Sequence, residues 1–489
     1  MNPVILLLPI LLPIIGGALI VPIRFKSDRA RNLYSELIVI LTSVSIWVCL
    51  LCLHGQPVTV YSFTSGFSIT FAVDGLGSVF AGMISLMWPL VMFYAFSYME
   101  EAKRKNSFFA FYVMTYGAAA GIAFSANMIT MYVFYEMLTL VTIPLVTHYG
   151  DHASMYAGRK YAAYTIGGAS LAFFAVVLTT MNSSGGTFTY GGCLSGNYSE
   201  TVMRIAFVFG FFGFGAKAAV FPLHEWLPTA SVAPTPVTAL LHAVAVVNAG
   251  AFAVMRITWY VFGTGLLLGS REQIFCLLIA SFSLVYGAVE SVRERHFKRR
   301  LAYSTMSNLS YMLFGVMLMT TAGFYAGIAH MVFHGIIKMS LFLCAGAFMH
   351  KREKAYIYEV NGVGRVMPVT FICYTLGALS LTGIPMFCGF VSKWELMRAG
   401  AASGTVYGAV GVIALVLSAF LCAVYTLTIS VRAFFTAKEK DLYIGAARDD
   451  ADMRMLVPIV VFTAVNVVLG VCPGLIMPLF EKIATGVLP

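Results

Sequence analysis

Seven ionisable residues lie in stretches otherwise too apolar to hold them, and their types and spacing suit proton transfer. Glu136 sits in "MYVFYEMLTLVTIP", Lys217 in "GFGAKAAVFPLHEWLP" and His242 in "TALLHAVAVVNAG". His330, His334 and Lys338 share "AHMVFHGIIKMSLF", and Lys393 follows Pro385 in "LTGIPMFCGFVSKWEL". A charge at the centre of a bilayer costs roughly 2.5–3.5 kcal/mol on insertion scales, so such residues mark ion or proton paths. His330, His334 and Lys338 are spaced i, i+4, i+8, which stacks them on one helix face within reach of one another or of a bridging water. A satisfied core histidine accounts for any one of them alone. Three titratable groups on one stripe point instead to a relay. The His-x-x-x-His pair has no carboxylate or cysteine beside it within its span, which argues against a metal site.

Lys217 and Lys393 share a second device, a proline close by in the same apolar run: Pro222 after the first, Pro385 before the second. Discontinuous helices at matching positions of two halves point to a transport site at mid-membrane. A break frees backbone carbonyls and amides that water or neighbours must satisfy, and a hydrated pocket is where a lysine can exchange protons. A kink with a snorkelling lysine explains either span alone, but not the recurrence.

The elements that carry these residues follow from composition. The chain is 60% hydrophobic and only 11% charged, with a mean hydropathy of +0.85. Apolar runs of about 20 residues fit transmembrane helices at 1.5 Å per residue. The expectation is an all-α polytopic membrane protein with about fourteen spans, near 3–23, 33–53, 72–99, 108–126, 128–148, 160–182, 201–221, 233–262, 272–291, 302–320, 323–349, 368–390, 404–434 and 455–478. The opening run has no basic segment before it, is too long for a signal peptide and ends in a basic cluster, so it reads as a retained first helix.

Sorting the 31 lysines and arginines by loop tests this count. Arg24, Lys26, Arg29 and Arg31 follow span one; Lys103, Arg104 and Lys105 follow span three; Arg159 and Lys160 follow span five. Arg293, Arg295, Lys298, Arg299 and Arg300 follow span nine, and Lys351, Arg352, Lys354 and Arg365 follow span eleven. Arg432, Lys438, Lys440, Arg448 and Arg454 follow span thirteen, making twenty-three on one side. Arg204, Arg256, Arg271, Arg398 and Lys482 fall on the other, and Lys217, Lys338 and Lys393 inside spans. The positive-inside rule places the basic loops in the cytoplasm of a prokaryotic inner membrane, or the equivalent side of another energy-transducing membrane, and both termini outside. The formal charge of +10 is a topology signal and not a nucleic-acid footprint.

No soluble domain is expected within 1–489, which reads as one membrane domain. The stretch 61–75 alternates like an outside hairpin, 437–453 reads as a charged cytoplasmic loop, and 350–368 mixes charges with aromatics like a segment on the membrane surface. Nine cysteines are scattered through apolar segments, and the close pair Cys49 and Cys52 has no partner pair, so neither a metal nor a redox centre is expected. No dinucleotide fingerprint or haem-attachment sequence is present, and no cofactor is expected in this chain.

Read together, "YEM" (135–137), "GFGAKAAVFPLHEWLPTASVAPTPVTALLHAV" (213–244), "HFKRRLAYSTMSNLSYM" (296–312), "HMVFHGIIKMSLFLCAG" (330–346) and "GIPMFCGFVSKWEL" (383–396) resemble the antiporter-like subunits of respiratory complex I. They are equally similar to the large subunits of Mrp-type cation/proton antiporters and of membrane-bound energy-converting hydrogenases. The resemblance covers nearly all of the spans. It implies two inverted five-helix repeats, here spans 4–8 (within 108–262) and 9–13 (272–434), after N-terminal helices (1–107) and before a last helix (455–478), with spans seven and twelve discontinuous. It also implies a glutamate–lysine pair at Glu136 and Lys217, a span-eleven set at His330, His334 and Lys338, and a terminal residue at Lys393. The span-eight position that is often lysine falls on Asn248, so His242 would carry the link. The chain stops after span fourteen, without the lateral helix of the largest complex I subunit, which leans toward an Mrp-like or hydrogenase-like assembly.

These residues allow a mechanism. A carboxylate facing an ammonium in a dry site holds both charged; once they separate, the ammonium keeps only its desolvation cost and releases its proton. Glu136 would gate Lys217, which passes protons through His242 to the span-eleven stripe and on to Lys393. Moving one charge against 100 mV costs about 2.3 kcal/mol, which must come from a partner's redox reaction or from another ion's gradient. The expected role is therefore the proton- or cation/proton-translocating subunit of a larger complex, with protons and possibly Na+ as cargo and other membrane subunits as partners. A stand-alone secondary ion or solute transporter is the rival, and a membrane scaffold a more distant one.

Overall fold

The computed structural model describes residues 3–53, 55, 57–64, 67–183 and 186–488. The chain is helical almost throughout, interrupted by one two-stranded hairpin. A 3-10 turn over Pro3–Leu7 leads into α1 (Leu8–Ile20), followed by α2 (Asp28–Cys52), β1 (Val58–Thr64), β2 (Phe67–Phe71), α3 (Gly75–Tyr98), α4 (Lys105–Ala123), α5 (Met128–Val146) and α6 (His152–Met181). Next come α7 (Glu200–Gly215), the short α8 (Trp226–Thr229), α9 (Thr235–Ala243), α10 (Val246–Arg256), a π-helical turn Ile257–Phe262 and α11 (Gly263–Leu267). The rest is α12 (Arg271–Arg293), α13 (Phe297–Met317), α14 (Thr321–Arg352), α15 (Pro368–Thr382), α16 (Cys388–Ala402), α17 (Val406–Phe434), α18 (Met453–Val471) and α19 (Met477–Ala484).

Polar caps set the helix starts. Asp74, Asn127 and Asp151 each accept the backbone N–H three residues on, at 2.8 Å, and Ser27, Ser270, Thr320 and Thr405 do the same. Such caps satisfy orphan amides that would otherwise face hydrocarbon. The hairpin pairs antiparallel from Val58↔Phe71 to Thr64↔Phe67 with two register shifts. It starts earlier and ends earlier than the 61–75 expected, and residues 65 and 66 of that stretch lie outside the described residues.

Among the described residues, nine helices are long and apolar enough to cross a membrane, and Val4–Ile20 and Pro368–Thr382 are shorter apolar helices. Five expected spans fall outside the nine: α4 and α13 are long enough but too polar, and α1, α7 and α15 are too short. The runs read as spans seven and twelve are each divided: α7 has 16 residues, roughly 24 Å, and α15 has 15, less than the ~30 Å of a hydrocarbon core. The run read as span eight, expected to be one helix, is divided too. It leaves helix at Val244 and Ala245 and changes pitch at Ile257–Phe262.

The core runs through two stretches. The window from α9 to α11 and that of α14 are fully buried, whereas those of α2, α6 and α17 are buried on 39% of their residues. A helix that is apolar all round and wrapped by others belongs at the centre of the bundle. Around α14 pack α9, α13, α15, α16 and α18. The stretch 350–368 keeps Tyr356 and Tyr358 exposed. After α14 it forms 3-10 turns at Ile357–Val360 and Val363–Arg365, tied to the 437–453 loop by the Tyr443 hydroxyl, which donates to the Glu359 carbonyl at 3.2 Å.

Candidate functional site

The α7 break brings Lys217 to the bundle interior, where it is completely buried. Its ammonium donates to the Tyr135 carbonyl of α5 and lies 3.4 Å from the centre of the Tyr135 ring. The Tyr135 hydroxyl in turn donates to the Phe214 carbonyl at 2.9 Å. Glu136 is within electrostatic range of Lys217 but forms no ion pair with it, and its buried Oε1 has no hydrogen-bond partner. Thus Glu136 and Lys217 stand close yet out of contact. The Trp226 indole donates to the freed Ala216 carbonyl at 2.8 Å, and the Phe221 amide donates to Ser283 Oγ at 3.1 Å.

His242 closes the last turn of α9, at the break in the span-eight run. Its Nε2 is 3.5 Å from Ser231 Oγ, its ring stacks on Phe342 of α14 at 4.9 Å, and its Nδ1 is unpartnered. Asn248, one turn into α10, donates to the Ala243 carbonyl at 2.8 Å. The amide at the position that is often lysine in similar subunits therefore satisfies a carbonyl released by the break.

On α14, Lys338 donates to the Leu301 carbonyl at 3.0 Å and to Ser304 Oγ. Both imidazole nitrogens of fully buried His334 lack partners, and its ring centre is 6.1 Å from that of His330. His330 Nδ1 is 2.8 Å from Ser392 Oγ of α16, one residue before Lys393. Lys393 donates to the Leu381 and Thr382 carbonyls, 2.5 and 3.4 Å away, which are the carbonyls that the α15 break leaves free. Gly383, at φ +100°, makes that turn with the Lys393 side chain against it, where a larger residue would be strained. His330, His334 and Lys338 thus lie buried along α14, with His330 reaching Ser392 of α16, and the ends of both broken helices lie against buried lysines.

The structure corrects several placements. Lys298, assigned to a cytoplasmic loop, is 3% exposed and donates to the Ala233 carbonyl at 2.8 Å. Arg256, counted with the outer loops, is fully buried and bidentate to Asp74, 2.8 and 2.9 Å away, among Phe188, Phe252 and Tyr260. Glu36, one turn inside an expected span, is an intramembrane carboxylate that sequence reading passed over although its position made it visible. Its Oε2 is buried without a partner.

At the basic end lies a cavity of about 270 Å³ lined by Lys160, His224, Glu225, Tyr286, Glu294 and Arg299, among others. Lys160 donates to Glu225 at 2.8 Å and holds that carboxyl below its usual range. Val232 lines the same cavity, next to the Ala233 carbonyl that Lys298 holds. The cavity therefore reaches the residue next to the one whose carbonyl Lys298 holds.

Residues 125–437 match the family described as NADH:quinone oxidoreductase/Mrp antiporter, TM. One Na(+)/H(+) antiporter subunit, that of Alkalihalophilus pseudofirmus, is 30% identical over 454 residues, 87% of this chain and 55% of that protein. NAD(P)H-quinone oxidoreductase chain 4 3 of Picosynechococcus sp. is 29% identical over 384 residues, 77% of this chain and 68% of that one. The chain spans about half the length of the Na(+)/H(+) antiporter subunits it matches. A chain of the membrane-bound sulfane sulfur reductase, an archaeal respiratory membrane complex, superposes with a TM-score of 0.85 at 21% identity, covering 99% of this chain and 97% of that one. The relatives are antiporter-like subunits of multisubunit membrane complexes, and the chain belongs to the NADH:quinone oxidoreductase/Mrp antiporter transmembrane family.

Proposed function

We propose that this chain is the proton- or cation/proton-translocating subunit of a larger membrane complex, and that Glu136, Lys217, His242, Lys338, His334, His330 and Lys393 carry the protons. One observation carries the reading: Lys217, Lys338 and Lys393, three of four buried lysines, make no ion pair with a carboxylate among the described residues, and His242, His330 and His334 each keep at least one imidazole nitrogen without a partner. Burying an uncompensated ammonium is costly, and residues kept there are suited to giving up protons. Each lysine rests on a carbonyl, which accepts from the ammonium and leaves the neutral amine free to take a proton back. Fourteen spans in two repeats belong to this reading, supported by the helix breaks after α7 and α15, as does, from the basic loops alone, a cytoplasmic side for those loops with both termini outside.

The cargo is H+, alone or exchanged for Na+, and the energy comes from a partner's redox reaction or an ion gradient. No step of electron transfer is assigned to this chain. The test is Lys217→Ala in the whole complex, reconstituted in vesicles: coupled proton movement should vanish while the complex still assembles. Undiminished movement in that variant would sink the scheme. Reconstituting the purified chain alone separates the stand-alone transporter, since flux by the isolated chain would favour that rival.

A further inference from the structure

Two of the buried lysines lie over tyrosine rings, and both stand beside a helix break. We propose that Tyr135 and Tyr311 are positioning residues, each a seat whose ring holds Lys217 or Lys393 while the lysine is charged and lets it go once the proton has left. The inference deepens the proposed role of this chain and rests on it.

The geometry occurs twice. Lys217 Nζ is 3.4 Å from the centre of the Tyr135 ring, and Lys393 Nζ is 4.9 Å from that of Tyr311. Each lysine follows its tyrosine by 82 residues, so one spacing along the chain serves both pairs. Both rings are buried, and each is anchored by its hydroxyl. Tyr135 donates to the Phe214 carbonyl in the last turn of α7 at 2.9 Å, and Tyr311 donates to the Leu415 carbonyl of α17 at 3.0 Å. A hydroxyl tied to another helix fixes where the ring stands, which a phenylalanine could not do.

The other two buried lysines supply the contrast. Lys338, within the continuous helix α14, donates to the Leu301 carbonyl and Ser304 Oγ, and Lys298, in α13, donates to the Ala233 carbonyl. Among the described residues neither lies over an aromatic ring. An ammonium carries three donors. Lys217 has one carbonyl to receive them and Lys393 has two, with no carboxylate paired to either among the described residues. The residue after Tyr311 is Met312, where Glu136 follows Tyr135, so the ring at Lys393 has no acidic neighbour in the chain to share its task.

The ring is the part of each seat that distinguishes the two forms of the lysine. A carbonyl accepts from an ammonium and from a neutral amine alike. The negative face of an aromatic ring attracts only the cation, most strongly where water is excluded. Loss of the proton therefore removes the ring contact and frees the side chain; return of a proton draws the ammonium back. The tyrosines themselves neither give nor take a proton. At Tyr311 the same ring also stacks with His330, centres 5.3 Å apart, and His330 Nδ1 is 2.8 Å from the hydroxyl of Ser392, the residue before Lys393. One tyrosine thus touches both the imidazole and the lysine at the end of the proposed line.

The test uses the whole complex in vesicles, with coupled proton flux and melting temperature measured beside Lys217→Ala and Lys393→Ala. The variants are Tyr311→Phe, Tyr311→Leu and phenylalanine analogues with one, two and three ring fluorines in place of Tyr311, and the same series at Tyr135. Fluorine withdraws charge from the ring face, weakening its hold on a cation at nearly constant size. The phenylalanine variants keep the ring and give up one hydroxyl bond, so flux should stay within about fivefold of wild type. Three fluorines, or leucine, should lower flux at least about tenfold below the phenylalanine variant. One and two fluorines should fall between, with melting temperature level along the fluorine series. Level flux along that series, with the matching lysine variant inactive, overturns the seat at that tyrosine and leaves the proposed function standing. Complete loss already in the phenylalanine variant overturns that seat too, since the hydroxyl and not the ring would then be what matters. Full activity in both lysine variants overturns the proposed function and the seats with it.

Discussion

The contact that holds Lys217 in place is close enough to be broken by one methyl group. A Cβ on Gly250 of α10 would stand 2.5 Å from the Ala218 amide nitrogen, 2.8 Å from the Lys217 carbonyl carbon and 3.0 Å from Lys217 Cβ. Ordinary contact begins at 3.4 Å, so Gly250→Ala must push the Lys217 segment and α10 apart by about 0.9 Å in a core that transmits strain. Both partners are backbone and cannot rotate away. The cost in stability is about 1–3 kcal/mol, as for other overpacked cores. The larger consequence is for Lys217, whose ammonium leaves the Tyr135 carbonyl. Misplacement near 1 Å at a reacting group costs on the order of a hundredfold, so coupled flux should fall between about tenfold and a hundredfold. The control is Gly82→Ala, whose Cβ would meet only Leu50 Cδ1 at 3.9 Å and, inside α3, should leave flux unchanged and the melting temperature equal or higher. Flux by Gly250→Ala within twofold of wild type would refute the claim that the position of Lys217 governs transfer.

Two further substitutions test the packing of charges. Arg256→Met removes the bidentate partner of Asp74, which also caps α3, and should destabilise the chain by about 3 kcal/mol, seen as a lower melting temperature that Asp74→Asn partly restores. His296 caps α13 through a Nδ1 that accepts the Arg299 amide at 3.5 Å. Burial, with Lys298 and Arg299 nearby, holds its pKa at about 4, below the ordinary 6.5. The stability tied to the neutral ring is complete above pH 6.5 and is lost as pH falls through 6.5 toward 4, at most about 3 kcal/mol. His296→Asn keeps an acceptor that does not titrate, so its melting temperature should drop less than wild type between pH 7 and pH 4; equal drops would show that His296 is not responsible.

Much of the candidate site is legible in residue order. The i, i+4, i+8 spacing alone puts His330, His334 and Lys338 on one face. A proline lies near each of Lys217 and Lys393, where helices α7 and α15 end, although Pro13, Pro89, Pro144 and Pro458 sit inside unbroken helices, so proline alone does not locate a break. The break at Val244 and Ala245 has no such mark: the run stays apolar, no proline interrupts it, and Asn248 closes the gap by a side chain whose role shows only in three dimensions. Lys298 and Arg256 look like loop charges because both sit near span ends, where sequence does not say whether a neighbouring segment covers them.

What the sequence by itself determined is the set of quantities that depend on neighbours along the chain: apolar runs long enough to span, and ionisable residues set deep within them. Only the tertiary structure decided what each buried group touches. Helices that are apolar on every side carry no mark of which face meets which neighbour. Thus Lys217 resting on a carbonyl without an ion pair to Glu136, Arg256 meeting Asp74, and Lys298 holding the Ala233 carbonyl all arise from packing between segments far apart in sequence.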